Sequence, residues 1–151
     1  MAESRDQQGG GRQLFCRVIT PEEVVYDGEA NLVIVRIADG DLGVLVDHSP
    51  LVSTVEAGEV RIRENDEQRV YATSDGFFKV SENLVQVLVE EAVALEDIDV
   101  DAAENRVEEA ERELSEISEE AEDRDRVLAE LRRRQRTGEN LVRVARKYRN
   151  S

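Results

Sequence analysis

Short apolar runs separated by turn-forming residues occupy the chain from Leu14 to Val89. In the segment GEVRIRE, Val60 and Ile62 alternate with charged residues, which predicts a strand with one buried face and one wet face. The segments LVIVRI and LVQVLV carry apolar residues on both faces, so we expect strands that lie centrally or are covered on the outer face too.

Turn signals recur roughly every 6–12 residues in this region, a spacing that is typical of an antiparallel sandwich or barrel of short strands. The Asp27-Gly28 pair is expected to form a type I′ hairpin turn, because glycine accepts the positive φ that this turn requires. The full set of turn signals lies at Asp27-Gly28, Asp39-Gly40, 47–50, Ala57-Gly58, 64–67, Asp75-Gly76 and 81–83.

A helical period replaces the strand pattern after Glu90. Apolar residues then follow one another at spacings of three and four, which predicts an amphipathic helix with a coiled-coil-like seam: Val100, Ala103, Val107, Ala110, Leu114, Ile117 and Ala121. Asp99 or Asp101 is expected to cap its start. A second helix is predicted over about 123–148. Gly138 costs that helix about 1 kcal/mol relative to alanine, so we expect a kink or a shortened helix there.

The connection between the two helices is weakly encoded, since neither glycine nor proline occurs between Asp101 and Thr137. An antiparallel hairpin that turns near SEEAED fits the pattern. A single helix of about 48 residues, roughly 70 Å long, fits it too. A segment that is compatible with both forms is a candidate conformational switch.

These patterns predict an α+β protein in which an N-terminal antiparallel sandwich or barrel of short strands precedes a C-terminal helical segment. The expected organisation is a disordered lead-in over 1–13, a strand domain over 14–92 and a helical domain over 98–149.

The charge is strongly acidic and unevenly distributed. The net charge of the 151-residue chain is −15, which argues against nucleic acid as a partner, because phosphate binding needs a basic surface. Residues 98–125 carry three arginines and thirteen acids, a net of −10, whereas residues 126–151 carry nine basic and two acidic residues, a net of +7. Helices of opposite charge favour a hairpin, although exposed pairs contribute only about 0–1 kcal/mol each.

The sequence offers little catalytic chemistry. His48 is the only histidine, and the neighbouring Asp47, Ser49 and Pro50 are turn formers, so a turn explains DHSP better than a catalytic triad does. The chain has neither a metal-ligand pattern nor a phosphate-binding glycine loop. The single Cys16 cannot form an internal disulfide, and we expect it to be an ordinary strand residue.

Targeting and membrane segments are not expected. No apolar run approaches the ~18 residues of a membrane span, and the first residues resemble neither a secretory signal nor a transit peptide. The arginine run LRRRQR at 131–136 fits a solvated helix face or a contact with an acidic protein partner.

Three stretches, taken together, resemble the epsilon subunit of F-type ATP synthases. DGDLGVLVDHSPLVSTVEAGEVRIR at 39–63 resembles the block in which Gly-Glu-Leu-Gly is followed by His-Ala-Pro-Leu, with Asp41 and Ser49 as departures. TSDGFFKVSENLVQVLVEEA at 73–92 resembles a second block, and EDIDVDAAENR at 96–106 resembles the entry to the C-terminal helices. The resemblance covers about Leu14 to Tyr148.

The resemblance implies an α+β fold in which a ten-stranded antiparallel β-sandwich over 14–92 precedes a two-helix antiparallel hairpin, the regulatory domain over 98–149. It also implies a non-catalytic central-stalk subunit seated on the gamma subunit and the c-ring. It implies that the sandwich docks through Gly40, Asp41, Leu42, Gly43 and His48. It further implies that the C-terminal helices contact the alpha/beta hexamer and inhibit ATP hydrolysis. We expect the contact residues to be Arg132, Arg133, Arg134, Arg136 and Arg143.

Location and ligands follow from the same resemblance. The expected place is peripheral, on the cytoplasmic face of a bacterial plasma membrane, in a complex that couples proton flow to ATP synthesis. No cofactor or metal is expected. Some members bind ATP through a motif that Ile98, Asp99 and Ala103 match, but Ala102 replaces its arginine, so we predict weak or absent ATP binding. The alternatives are a free-standing sandwich and coiled-coil adaptor, and a small hydrolase that uses His48.

Overall fold

The computed structural model describes residues 12–120 and 122–149, so residues 1–11 of the expected lead-in lie outside the described residues. The chain divides into two compact units, with the division between Ala92 and Val93.

The first unit is a β-sandwich, as the sequence predicts. Five strands form a sheet in the order β2-β1-β9-β8-β5, here called the first sheet, and five form the second sheet in the order β10-β7-β6-β3-β4. The strands are β1 (Leu14–Ile19), β2 (Val24–Ala30), β3 (Leu32–Ile37), β4 (Gly40–Val44), β5 (Leu51–Val55), β6 (Gly58–Glu64), β7 (Glu67–Thr73), β8 (Gly76–Ser81), β9 (Leu84–Val89) and β10 (Ala92–Ala94).

Alternation along the strands builds the core. Val33 and Val35 of β3, and Val85 and Val87 of β9, are fully buried, as are Val60 and Ile62 of β6 at 1% exposure. The strands LVIVRI and LVQVLV are interior strands, as predicted. Strand β9 lies at the centre of its sheet, and its outer face is partly open, since Leu88 is 44% exposed. Strands β1 and β9 pair in parallel, in contrast to the antiparallel hairpin partners around them.

One predicted turn is wrong. Asp27 and Gly28 lie inside β2, where they pair with Arg17 and Cys16 of β1. The chain reverses earlier, where the Thr20 N–H donates to the Glu23 carbonyl at 2.9 Å. The proline at position 21 follows Thr20 directly, and its fixed φ and missing N–H suit it to a turn rather than to a paired strand. The other six turn signals fall at the ends of strands.

The second unit contains a short 3₁₀ turn at Leu95–Asp97 and two helices, α1 (Val100–Glu116) and α2 (Arg124–Arg149). Asp99 caps α1 by accepting the Ala102 N–H at 3.1 Å. The start of α1 contacts the end of α2 through Glu104 and Arg146, and later α1 residues contact earlier α2 residues. The helices therefore form an antiparallel hairpin rather than one long helix. Ile117 caps the end of α1, and the turn follows in the predicted SEEAED segment.

Gly138 does not interrupt α2, which contradicts the predicted kink. The helix runs without a break from Arg124 to Arg149, and Gly138 is buried within it. A Cβ added at Gly138 would lie 2.8 Å from Val107 Cγ2 and 3.2 Å from the Ala103 carbonyl oxygen. The glycine thus permits close contact between α1 and α2, which explains a residue that helix propensity alone disfavours.

Candidate functional site

An apolar row crosses the outer face of the first sheet. Strand register places Val24 beside Ile19, Ile19 beside Leu88, and Leu88 beside Phe77. Three of the four side chains are strongly exposed: Val24 by 52%, Leu88 by 44% and Phe77 by 59%. At about 4.8 Å between neighbouring strands, the apolar row spans roughly 15 Å.

The apolar row faces outward because its neighbours along each strand face inward. Val18 precedes Ile19, Val87 precedes Leu88 and Phe78 follows Phe77, and all three are buried. The next row of the same face is polar over three strands, with Arg17 beside Gln86 and Gln86 beside Lys79, and it ends on edge strand β5 at Val52, which is 69% exposed. Exposed apolar side chains bordered by polar ones are typical of a protein-binding surface. The predicted site residues did not include any member of the apolar row.

The predicted docking loop, Gly40 to Gly43, forms most of edge strand β4. Gly40 has φ +125°, a conformation that favours glycine. The Asp41 carboxylate contacts Arg61 Nη2 at 2.7 Å and Arg36 Nε at 3.7 Å. Leu42 pairs with buried Val35 and is half-buried itself. Asp41 is the one charged residue of this segment, and its carboxylate is already paired with two arginines.

His48 lies in the segment between β4 and β5 and is half-buried. Its Nδ1 is 2.7 Å from the Ser49 carbonyl oxygen, and its backbone N–H donates to the Leu45 carbonyl at 3.2 Å. These contacts are those of a turn residue. Gly40 begins β4 and His48 lies in the turn after it, so a strand about 13 Å long at 3.3 Å per residue separates the start of the predicted loop from that turn.

The five predicted contact arginines divide into two groups on α2. Arg132 and Arg136 are exposed, and Arg143 follows on the same helix face, so the three form a stripe about 16 Å long. Arg133 is exposed on an adjacent face. Within residues 12–120 and 122–149, no salt bridge involves Arg132, Arg133 or Arg136.

Arg134 and Arg143 are engaged within the hairpin. Arg134 lies 3.6 Å from Glu113 of α1 and 3.6 Å from Glu130 of its own helix. Arg143 donates to the side-chain oxygen of buried Asn140. Arg134 therefore joins the two helices and Arg143 is bonded within α2, whereas Arg132, Arg133 and Arg136 are available to a partner.

The residues that match the ATP motif lie at the start of α1. The Asp99 carboxylate caps α1, and Ala102 has no side-chain donor. A groove of about 650 Å³ does run between the helices, but it carries three carboxylates and is lined by Glu104, Val107, Glu108, Glu139, Val142, Arg143 and Arg146. Carboxylates repel a triphosphate, and Arg146 is already paired with Glu104 at 2.6 Å.

The remaining candidates for chemistry are structural. Cys16 is fully buried in β1, and burial raises the pKa of its thiol to about 12, so the thiol stays protonated and unreactive at neutral pH. In the part of the chain that the structure describes, no three His, Cys, Asp or Glu side chains are grouped as metal ligands require. None of the helices in that part combines the length and apolar character needed to cross a membrane.

Comparison with known proteins identifies the family. Residues 13–95 match the family model for the ATP synthase delta/epsilon chain beta-sandwich domain. An ATP synthase epsilon chain from Rubrobacter xylanophilus is 64% identical over 141 residues, which cover 93% of this chain and 97% of the relative. The chain belongs to the ATP synthase epsilon chain family.

More distant members and solved structures agree with this family. The sodium-ion-specific ATP synthase epsilon chain of Propionigenium modestum is 32% identical over 87% of this chain and 92% of its own length. A chain in the mitochondrial ATP synthase OSCP/F1/c-ring structure of Euglena gracilis has a TM-score of 0.67 at 23% identity, covering 85% of this chain and 79% of its own. A chain in the central stalk and c-ring structure of Tetrahymena thermophila has a TM-score of 0.56 at 13% identity, covering 90% of this chain and 96% of its own. At these identities the two structures support the fold alone. The family excludes the interpretation of a free-standing adaptor.

Proposed function

We propose that this epsilon chain is a non-catalytic rotor subunit of the ATP synthase central stalk, and that the first sheet's apolar row is its docking surface for the gamma subunit. The apolar row carries the proposal, because three strongly exposed apolar side chains in register are unfavourable in water unless a partner covers them. The edge formed by Gly40 to Gly43, and the turn at His48, would contact gamma or the c-ring beside it.

A double substitution in the apolar row tests the docking surface. Phe77→Asp with Leu88→Asp places two charges where an apolar partner surface is expected, while the buried core beneath is unchanged. We expect the affinity for a complex that contains gamma but lacks epsilon to fall at least about 100-fold, the equivalent of roughly 2.7 kcal/mol. Lys79→Asp, a charge change in the neighbouring polar row, is the control. Equal binding of the double variant and the wild type would exclude this surface.

The two-helix unit is proposed to restrain ATP hydrolysis. The stripe formed by Arg132, Arg136 and Arg143, with Arg133 beside it, would meet an acidic surface on the alpha/beta hexamer. Inhibition would require a second, open arrangement of the hairpin, and a free-energy difference of a few kcal/mol populates such a minor state at about 0.1–10%.

Charge reversal tests this regulatory contact. Arg132→Glu with Arg136→Glu should raise ATP hydrolysis by the reassembled complex, because both side chains are exposed and unpaired within the hairpin. Arg126→Glu is the matched control, since Arg126 lies on the same helix and pairs locally with Asp123. If the double variant and the control give the same hydrolysis rate as wild type, these arginines do not inhibit.

ATP is not proposed as a ligand. Removing the motif arginine at position 102 removes charge-assisted bonds worth about 1.5–3 kcal/mol each, and the groove between the helices is rich in carboxylates. Calorimetric titration of the isolated chain with ATP should give no binding in the low micromolar range. Binding in that range would contradict the proposal.

The proposed location is peripheral, on the cytoplasmic face of a bacterial plasma membrane, where the complex couples proton flow to ATP synthesis. Capture of the tagged chain from solubilised native membranes should recover the gamma subunit. The purified chain should hydrolyse no ATP by itself.

A further inference from the structure

Asn83 joins three segments at one end of the sandwich. It lies in the tight turn between β8 and β9 with φ +64°. Its backbone carbonyl accepts the Phe15 N–H at 2.8 Å, and its side-chain oxygen accepts the Asp47 N–H at 2.6 Å. Its amide nitrogen, Nδ2, lies 3.3 Å from Asp47 Oδ1 and donates to it. One side chain thus fixes both the backbone and the carboxylate of Asp47.

Asp47 adopts a conformation that needs support. Its φ is +67°, in the left-handed region that most residues other than glycine avoid. Arg12 Nη1 donates to Asp47 Oδ1 at 2.8 Å. The bonds from Arg12 and Asn83 also hold the pKa of the Asp47 carboxyl below its ordinary value. We call Arg12, Asp47 and Asn83 the clamp.

The clamp holds the segment that passes from one sheet to the other. Residues 45–50 connect β4, at the edge of the second sheet, to β5, at the edge of the first. Leu45 and Val46, just before Asp47, are 59% and 40% exposed. An exposed crossover loop would ordinarily be among the mobile parts of a domain, and ordering it on binding would reduce affinity.

We propose that the clamp is a positioning device that presents Leu45 and Val46, in a fixed conformation, as a second apolar contact with gamma. The inference rests on the proposed docking of the sandwich. The partner surface would be an apolar depression that receives two branched aliphatic side chains. Neither Asn83 nor Asp47 needs to touch gamma, since both act through the backbone of the crossover segment.

A matched pair of glycine substitutions tests the clamp. Asn83→Gly keeps a residue that tolerates positive φ but removes the amide that holds Asp47. Glu82→Gly is the control, because Glu82 has φ +50° in the same turn and makes no side-chain bond to Asp47 among the described hydrogen bonds. Titration of each full-length variant against a gamma-containing complex that lacks epsilon should show about a tenfold loss of affinity for Asn83→Gly and none for Glu82→Gly. Amide hydrogen exchange at Asp47 in the free chain should accelerate in the first variant alone.

A double-mutant cycle separates positioning from general damage. Leu45→Ser with Val46→Ser removes the contact itself, so adding Asn83→Gly should then reduce affinity little further. If Asn83→Gly also lowers the unfolding temperature, Asp47→Gly provides the same test, because glycine removes the carboxylate while relieving the left-handed strain.

The outcomes distinguish the clamp from the proposed function. Failure of the wild-type chain to bind gamma would overturn docking itself. Wild-type binding with undiminished affinity of Asn83→Gly would overturn the clamp. The affinity loss from Asn83→Gly could also add in full to the loss from the Leu45 and Val46 substitutions. That result would show that Asn83 does not act through Leu45 and Val46, and it would overturn the clamp as well.

Discussion

The two units of the molecule are built from different contacts. The sandwich core consists of large apolar side chains, such as Phe78, Ile62 and Leu14, which are buried to 1% exposure or less, and its strands are paired across long sequence separations. The helical unit buries three aliphatic side chains of α2, Leu131, Leu141 and Val144. Its other buried residues are small or polar, among them Ala103, Ala110, Thr137, Gly138, Asn140 and Ala145.

This difference is relevant to the two proposed roles, the docking of the sandwich on gamma and the opening of the helical hairpin. Large apolar side chains contribute about 1.5–3 kcal/mol each when fully buried, whereas alanine and glycine contribute little area. Cross-helix ion pairs such as Glu113 with Arg134 are partly exposed and are worth at most about 1 kcal/mol each. The larger apolar core of the sandwich is in keeping with its proposed docking role, and the smaller core of the hairpin is in keeping with its proposed opening.

The largest expected effect is in the sandwich core. Phe78→Ala should lower the free energy of unfolding by about 3–5 kcal/mol, because it leaves a cavity in a fully packed site. Phe77→Ala, one position away on the outer face, should change it by no more than about 0.5 kcal/mol. Urea denaturation followed by circular dichroism measures both. Similar losses from the two substitutions would contradict the assigned faces.

The next largest effect is at the helix contact. Alanine at position 138 gains about 1 kcal/mol in helix propensity, but its Cβ would lie 2.8 Å from Val107 Cγ2, and overpacking costs about 1–3 kcal/mol. We expect Gly138→Ala to destabilise the hairpin by about 1 kcal/mol, seen as faster amide exchange in α1 and α2.

A second substitution makes this test specific. Val107→Ala makes room for the new Cβ, so its addition to Gly138→Ala should slow exchange again, because contacting sites are not additive. A Gly138→Ala variant that exchanges more slowly than wild type would show that helix propensity outweighs the contact.

A smaller effect is expected where α2 ends. Arg149 Nη2 donates to the carbonyl oxygens of Ile98 at 2.9 Å and Leu95 at 3.0 Å, which joins the last turn of α2 to the segment before α1. Hydrogen bonds from charged groups contribute about 1.5–3 kcal/mol, and exposure reduces this to about 1 kcal/mol here.

Amide exchange in the last turn of α2 measures this bond. Arg149→Ala should accelerate exchange there by about fivefold, the equivalent of about 1 kcal/mol. Arg132→Ala, which also removes an exposed arginine from α2, is the control. Equal amide exchange in the two variants would show that the hydrogen bonds of Arg149 contribute nothing beyond the effect of removing one positive charge from α2.

The smallest expected effect is a pH dependence in the sandwich. The folded-state pKa of Asp47 lies below its ordinary value because Arg12 and Asn83 bind the carboxylate. A lowered pKa stabilises the fold above the unfolded value, about 3.9, and that stabilisation is lost as the pH falls through the folded value. The difference in unfolding temperature between wild type and Asp47→Asn should therefore be present at pH 6 and shrink as the pH falls below about 4. A constant difference would contradict the assignment.

Much of the fold follows from local sequence patterns, and each failure has an identifiable physical cause. Alternation at Val60 and Ile62 fixes a strand face without knowledge of any neighbour. Asp27-Gly28 carries the composition of a hairpin turn, yet the chain reverses at the nearby proline and both residues join β2. Gly138 is disfavoured by helix propensity, and only the position of Val107 on the facing helix explains it.

The proposed docking surface could not be predicted from any one segment of the sequence. The apolar row joins Ile19 to Leu88 through the parallel pairing of β1 with β9, which links residues far apart in sequence. Each strand alone shows one exposed apolar residue, which is ordinary on a protein surface. The contact arginines could be predicted from the sequence. Their division into paired and unpaired groups could not, because it depends on how α1 and α2 pack, and the sequence was compatible with both a hairpin and a single long helix.

The most direct test of the account locks the hairpin and measures ATP hydrolysis. An ideal Cβ at position 138 lies 2.8 Å from Val107 Cγ2, close to the roughly 3 Å between the Cβ of one cysteine and the sulfur of its partner in a disulfide. Val107→Cys with Gly138→Cys should therefore form a bridge between α1 and α2, while Cys16 stays buried and unreactive. In the reassembled complex, the oxidised variant should hydrolyse ATP faster than the same variant after reduction, because a closed hairpin cannot open to inhibit. Equal rates before and after reduction would contradict the claim that opening of the hairpin restrains hydrolysis.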